Sequence, residues 1–389
     1  MTDVDDILSG GEERSGRVAD RRRPWVSALR RLTSSAAAEG NLSDTGAAAF
    51  SSKLRDLVEE RLRAEAMLAE HPEIGARPMP VRFAVAGMGR SGTTLLQRLL
   101  SCDPDVAFLP TWQAMHPVPG GRMSGDSAPD PRRSGIVRFI DDLAKSNPES
   151  FRIHPLDADA PEEEVFLLQH SFASMLFSLS CPLPEYNRWL VEADHTDAYR
   201  FAFDLLRLNE WAAGDPAGRP RVMKSPQFLL DLEVVLTVAP DAVIAQTHRD
   251  PVDLVGSYCS TYANSRRRSV SALDLAALGQ ERLAFLGTMA DRAVVVRDAA
   301  SPDRFVDVHY SELVRQPFTV LQKLYDAAGI VLAAPARSKM EQWLEAHPQH
   351  QAGRHEYDLA DYSLDRDTVE ARFSAYLERF RVARDADAV

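Results

Sequence analysis

The residues of this chain best suited to chemistry form one short run, Met88-Gly89-Arg90-Ser91-Gly92-Thr93-Thr94, between the apolar stretch Val81–Gly87 (VRFAVAG) and the helical pattern LLQRLL. A strand, a glycine-bearing turn and a helix start gather backbone N–H groups and the positive end of a helix dipole around one point, a cradle for phosphate or sulfate. Gly89 and Gly92 permit close backbone approach, Ser91, Thr93 and Thr94 add hydroxyl donors, and Arg90 adds a cation. Gly87 and Gly92 stand at Walker A spacing, yet Thr93 occupies the place where such a loop needs its phosphate-gripping lysine. A bare strand-to-helix connection would use the same glycines but needs neither cation nor hydroxyls.

Alternating elements must position this loop. Short apolar runs predict strands at Val81–Gly87, Arg221–Lys224, Ala242–Thr247 and Arg304–His309. Helices are predicted at Ala47–Glu70, Gly92–Ser101, Pro161–Ser178, Asp197–Ala213, Gln227–Val238, Val252–Tyr262, Leu273–Asp298 and Pro317–Ala328, with two more in the tail after Pro335. The pattern predicts an α/β fold: a P-loop-type parallel β-sheet flanked by helices on both faces, with an N-terminal helical arm and a helical C-terminal region. Residues 1–78 read as arm and helix, and 79–389 as the α/β domain with a helical insert at about 132–215. The first 45 residues mix Gly, Ser and Ala with a basic run around Trp25, which reads as a mobile arm with one short helix. Trp112–Pro131, rich in Pro and Gly, reads as a long loop of the kind that lies over a site.

RSGTT after a buried strand resembles the 5′-phosphosulfate loop of sulfotransferases that use 3′-phosphoadenosine 5′-phosphosulfate (PAPS), and three further segments agree. Thr247-His248-Arg249-Asp250-Pro251, with Ser257 eight positions after Arg249, is similar to that family's 3′-phosphate motif. Val308–Pro317 resembles its Tyr-Glu-Asp-Leu segment, with His309 and Ser311 as departures. Val222-Met223-Lys224-Ser225-Pro226 resembles the lysine segment of the protein-tyrosine and bacterial branches. The resemblance spans about Arg82 to Pro317, is nearest to the bacterial branch, and has a weaker echo at Gly353–Leu364. It implies a PAPS-dependent transferase. Gly89, Arg90 and the amides of Ser91, Gly92, Thr93 and Thr94 would hold the 5′-phosphosulfate, and Arg249 and Ser257 the 3′-phosphate. Tyr310 would lie near the nucleotide, and Arg354 and His355 would close over it. Lys224 is a second candidate cation at the sulfuryl group. Plainer roles stand beside these: an Arg249 ion pair with Asp250 or Asp253, a surface lysine, a core tyrosine.

An acceptor hydroxyl also needs a general base. Asp159-Ala160-Pro161-Glu162-Glu163-Glu164 opens the predicted Pro161–Ser178 helix. Asp159 as N-cap, followed by glutamates complementing the dipole, accounts for it without catalysis. Alternatively Glu163, Phe166, Leu167 and His170 share a helical face, so that a buried carboxylate would sit beside an apolar acceptor surface with its pKa raised. The order of candidates is Glu163, Glu162, His170. Gln113, where some relatives carry a glutamate, cannot accept a proton.

The whole chain fits one small anionic ligand rather than a polyanion. Its 389 residues carry 57 acidic against 45 basic side chains, a formal −12, which argues against nucleic-acid coating. Three scattered cysteines suggest no disulfide framework or zinc site and fit a reducing, cytoplasmic setting. No metal is called for. Val165–Pro184 lacks charged residues, but its Gln, His and serines favour a buried helix over a membrane span. Acceptor readings are a small molecule, lipid or glycan, with peripheral membrane contact for a lipid; Tyr186 and Trp189 would help line an apolar pocket. An ATP-dependent P-loop kinase and an inactive nucleotide-binding module are the alternatives.

Overall fold

The computed structural model describes residues 3–120, 129–146, 156–348 and 358–384. At its centre four parallel strands, β1 (Val81–Ala86), β2 (Arg221–Ser225), β3 (Val243–His248) and β4 (Phe305–His309), lie in the order β2-β1-β3-β4. Strand side chains alternate between faces. Phe83 and Val85 meet Leu96, Leu99, Leu321 and Met340 in one core, while Ala84 and Ala86 enter a larger core on the other face with Met223 and Ile244. Helices therefore cover both faces, and the strand expectations agree within a residue or two at each end.

Among the described residues three long helices, α1 (Val4–Ser15), α2 (Pro24–Glu39) and α3 (Asp44–Glu70), and a single helical turn, Pro72–Gly75, precede the sheet. The expected mobile arm is instead packed structure, with Ile7, Leu8, Trp25, Leu29 and Leu32 buried. Glycine that reads as flexibility serves close approach here: a Cβ at Gly11 would stand 2.4 Å from Val58 Cγ1, so α1 lies directly against α3.

After the sheet's first strand come α4 (Thr93–Ser101), α5 (Pro131–Ser146), α6 (Pro184–Glu192) and α7 (Thr196–Ala213). The later helices include α8 (Leu232–Val238), α9 (Pro251–Arg266), α10 (Leu275–Ala299), α11 (Pro317–Ala327), α12 (Ala334–Ala346), α13 (Arg366–Arg372) and α14 (Ser374–Phe380), with a short helical turn, Tyr310–Arg315, directly after β4. The predicted loop Trp112–Pro131 begins with a helical turn, Thr111–Met115; residues 121–128 lie outside the described residues.

The predicted Pro161–Ser178 helix does not form as one element. It breaks into an α-turn, Val165–Leu168, and two 3₁₀ turns, Gln169–Ser171 and Met175–Leu179, around Phe172 at φ 54°. Side chains outcompete the helix: Ser174 Oγ donates to Val165 O, and Gln227 bonds both Met175 N and Ala173 O. Asp159 accordingly caps nothing and pairs with Arg133. Among the described residues no helix is long and apolar enough to cross a membrane.

Candidate active site

The C-terminal ends of β1, β2 and β3 converge, as ligand sites of open parallel sheets do. Gly87 begins the loop under severe crowding, because a Cβ there would fall 1.9 Å from Thr247 Oγ1. Ser91 Oγ donates to Met88 O at 2.5 Å and contacts Thr247 Oγ1 at 2.5 Å, so its hydroxyl clamps the loop onto β3. Arg90 is exposed and sits at φ 73°, a conformation that costs a non-glycine residue free energy and marks strained functional turns. Gly92 follows at φ 94° as α4 starts, leaving the first-turn N–H groups of Thr93 and Thr94 for a ligand.

Residues remote in sequence complete the cradle. Arg249, just past β3, donates to Arg90 O at 3.1 Å and to Asp253 Oδ2 at 2.8 Å, with its guanidinium 4.3 Å from the Tyr310 ring centroid. Ser257 lies two turns into α9, and the neighbouring Tyr258 hydroxyl accepts the Gly89 N–H at 2.8 Å. Burial raises the Tyr258 phenol well above its usual range, so it remains an O–H at neutral pH. Loop, Arg249, Ser257 and Tyr310 line one cleft of about 420 Å³.

Opposite chemistry comes from the acidic segment. Glu164 is fully buried and laced to β2: its Oε2 accepts Lys224 N–H at 2.6 Å, and its own N–H donates to Lys224 O at 3.1 Å. Burial pushes its carboxyl up to about 8, against the hydrogen bond from Lys224 and the charge of Arg221. This anchoring turns Glu163 into the cleft, where its Oε1 accepts from Lys224 Nζ. Glu162 also lines the cleft, its Oε1 accepting the Glu163 N–H at 3.0 Å and its carbonyl the Gln97 side chain at 2.8 Å.

A model of the sulfotransferase family matches residues 80–334, well over half of the chain. The chain belongs to the sulfotransferase family. Two solved structures agree over nearly the whole length. Sulfotransferase STF9 from Mycobacterium avium is 26% identical with a TM-score of 0.88, over 99% of this chain and 98% of that one. STF1 from Mycobacterium tuberculosis H37Rv is 25% identical with a TM-score of 0.82, over 96% and 98%. No curated protein matches the chain significantly.

In this sulfotransferase the expected site residues divide. Gly89, Arg90, Gly92, Thr93, Thr94, Glu162, Glu163, Arg249, Ser257 and Tyr310 come together in the cleft. Ser91 supports the loop from beneath, and its N–H is taken by Met88 O. Lys224 is 1% exposed and meets the cleft through Glu163. His170 does not line the cleft. It is buried against α3, where Glu60 bonds His170 Nε2 at 2.7 Å and His116 Nδ1 at 3.0 Å. Burial works against the Glu60 carboxylate, but these two hydrogen bonds outweigh it and bring the carboxyl to about 2. Arg354 and His355 lie outside the described residues.

Residues the motifs did not reveal build the rest of the wall. Met175, Leu176, Leu179, Tyr258 and Tyr262, together with Phe166, which the helical-face pattern already set beside an acceptor surface, make much of the lining apolar. Tyr186 and Trp189 do not join them: the Tyr186 hydroxyl is buried on Phe172 O at 2.8 Å, and Trp189 faces a different cavity. Tyr258 had one sequence signal, its place beside Ser257 on α9. Among the described residues no group of three or more His, Cys, Asp or Glu side chains could hold a metal ion.

Proposed function

We propose that this sulfotransferase moves the sulfuryl group of PAPS to the hydroxyl of an apolar acceptor, a lipid or aryl-bearing alcohol. The carrying observation is that one cleft of about 420 Å³ combines the anion loop, Arg249 and Ser257 with a carboxylate, Glu163, and an apolar wall. The acceptor oxygen attacks sulfur as the bond from sulfur to the bridging phosphate oxygen breaks, and adenosine 3′,5′-bisphosphate leaves. Charge grows on the leaving oxygen, where Arg90 and the amides of Gly92, Thr93 and Thr94 stabilise it, as fixed donors do in phosphoryl transfer. Glu163 takes the hydroxyl proton, oriented by the Lys224 ammonium. Arg249 and Ser257 hold the 3′-phosphate, Arg249 exchanging its bond to Asp253 for the ligand. The three cysteines, all free, fit a reducing compartment and support a cytoplasmic setting.

Thermal-shift titration tests the donor. Adenosine 3′,5′-bisphosphate should stabilise the fold, by about 2.7 kcal/mol at a hundred times its Kd, and ATP with Mg²⁺ much less. The reverse ranking would sink the reading. Incubating the enzyme with labelled PAPS and cell extract, then identifying the labelled product, names the acceptor.

A further inference from the structure

The phenol of Tyr258 stands where the anion loop meets the apolar wall. Two turns into α9, it lines the cleft beside Ser257. Its hydroxyl end lies on the loop: Oη accepts the Gly89 N–H at 2.8 Å, and a Cβ on Gly89 would stand 3.2 Å from Oη and 3.4 Å from Cε2 and Cζ. Tyr262, one helical turn on, continues the same face of α9 into the apolar wall, with its ring centroid 6.1 Å from that of Tyr258.

A phenol is a donor as well as an acceptor. The Gly89 N–H occupies a lone pair of Oη, and among the described residues no acceptor takes the Tyr258 proton. Burial first, and then the neighbouring Tyr262 and Glu163, hold that proton on the phenol. With Tyr258 only 8% exposed, the cleft it lines is where an otherwise unmade donor finds its partner. Because the Gly89 N–H is spent on Oη, this first donor of the loop acts on a ligand only through the O–H. Two donors in series polarise the outer one and strengthen it.

The ligand atom that meets this proton follows from the line of transfer. On the proposed function the loop and Arg90 hold the leaving oxygen and Glu163 faces the acceptor oxygen, so the sulfuryl group passes between them with the two oxygens roughly in line. We propose that Tyr258 is a catalytic residue that donates its O–H to a non-bridging oxygen of the sulfuryl group, in the donor complex and through transfer. This assignment rests on the PAPS reading of the cleft. The bond from acceptor oxygen to sulfur forms as that from sulfur to the bridging oxygen breaks, and the bonding pair leaves on the phosphate oxygen. Glu163 takes the acceptor's proton. Tyr258 keeps its own and supplies a fixed dipole to the charge on the sulfuryl oxygens.

Adenosine 3′,5′-bisphosphate and PAPS differ by the sulfuryl group alone, so calorimetry on the full chain isolates the contact. Tyr258→Phe, which keeps the ring and removes the hydroxyl, should bind PAPS about ten-fold or more weakly, the usual worth of a hydrogen bond to an anionic group. Adenosine 3′,5′-bisphosphate should stay within two-fold of wild type. Equal weakening of both ligands would make Tyr258 a support of the Gly89 turn and overturn the proposal, as would unchanged affinity for both. A second measurement keeps Tyr258 in place. Tyr258, Tyr262 and Tyr310 are the tyrosines lining the cleft. With [ζ-¹³C]tyrosine, a signal retained in both Tyr262→Phe and Tyr310→Phe should move between the adenosine 3′,5′-bisphosphate and PAPS complexes; its absence overturns the proposal. A wild-type chain that does not bind adenosine 3′,5′-bisphosphate would overturn the donor reading itself and this assignment with it.

Discussion

Replacing Glu164 by Gln should alter the pH dependence of stability, and the sign follows from burial. The carboxyl is held at about 8 in the fold against 4.5 for an unperturbed glutamate. An acid with a raised folded pKa favours the fold most where both states keep the proton, below the unfolded value. As pH climbs from 4.5 toward 8 the unfolded chain ionises first, and stability falls by about 1.4 kcal/mol per pH unit. From pH 5 to pH 8 that amounts to about 4 kcal/mol, and water entry on ionisation reduces it to roughly 2–4 kcal/mol. Gln keeps a carbonyl oxygen for Lys224 N–H but puts an amide where Oε1 has no partner. Its penalty is a constant, roughly 1–3 kcal/mol. The variant should therefore be less stable than wild type at pH 5 and draw level or overtake it by pH 8. Urea unfolding of both proteins at each pH measures the difference, from which all other titrating groups cancel. A difference that stays constant across this window would refute the reasoning.

Glu163→Gln should lower kcat roughly 10²- to 10⁴-fold, the usual worth of a general base, while affinity for adenosine 3′,5′-bisphosphate stays put; normal turnover would return Glu163 to a structural role. Arg249→Ala should weaken that ligand about 10- to 100-fold by calorimetry, since a charged hydrogen bond is worth roughly 1.5–3 kcal/mol. Arg90→Ala should abolish transfer; trivial effects from both arginine variants would break the assignment of the loop. Gly87→Ala should lower stability by about 1–3 kcal/mol and loosen the loop, because the added Cβ would displace Thr247 Oγ1 from its contact with Ser91; an unchanged melting temperature would contradict that crowding.

The contrast between what the sequence disclosed and what it hid follows the distance over which each feature is decided. The anion loop was legible because its parts are neighbours: β1 is apolar for both faces, the glycines meet the turn, and α4 starts within the same seven residues. Arg249 and Ser257 were legible as a strand end and a point two helical turns on. The segment 161–178 was not, since an apolar period of 3.6 cannot foresee that Gln227 bonds Met175 N and Ala173 O from 52 and 54 positions away. Once that helix breaks, periodicity no longer says which glutamate turns inward. Burial falls on Glu164 through its bonds to the Lys224 backbone, and Glu163 is presented to the cleft instead. The same limit hid the N-terminal packing, where Gly11 matters through Val58 on another helix. An anion is held largely by backbone and adjacent side chains, whereas a base and an apolar acceptor surface arise where distant segments pack. On the proposed function, acceptor choice falls to Phe166, Met175, Leu176 and Tyr262, which line the cleft outside the donor-binding segments. Substitutions among these four should change which alcohol is sulfated while leaving donor affinity intact.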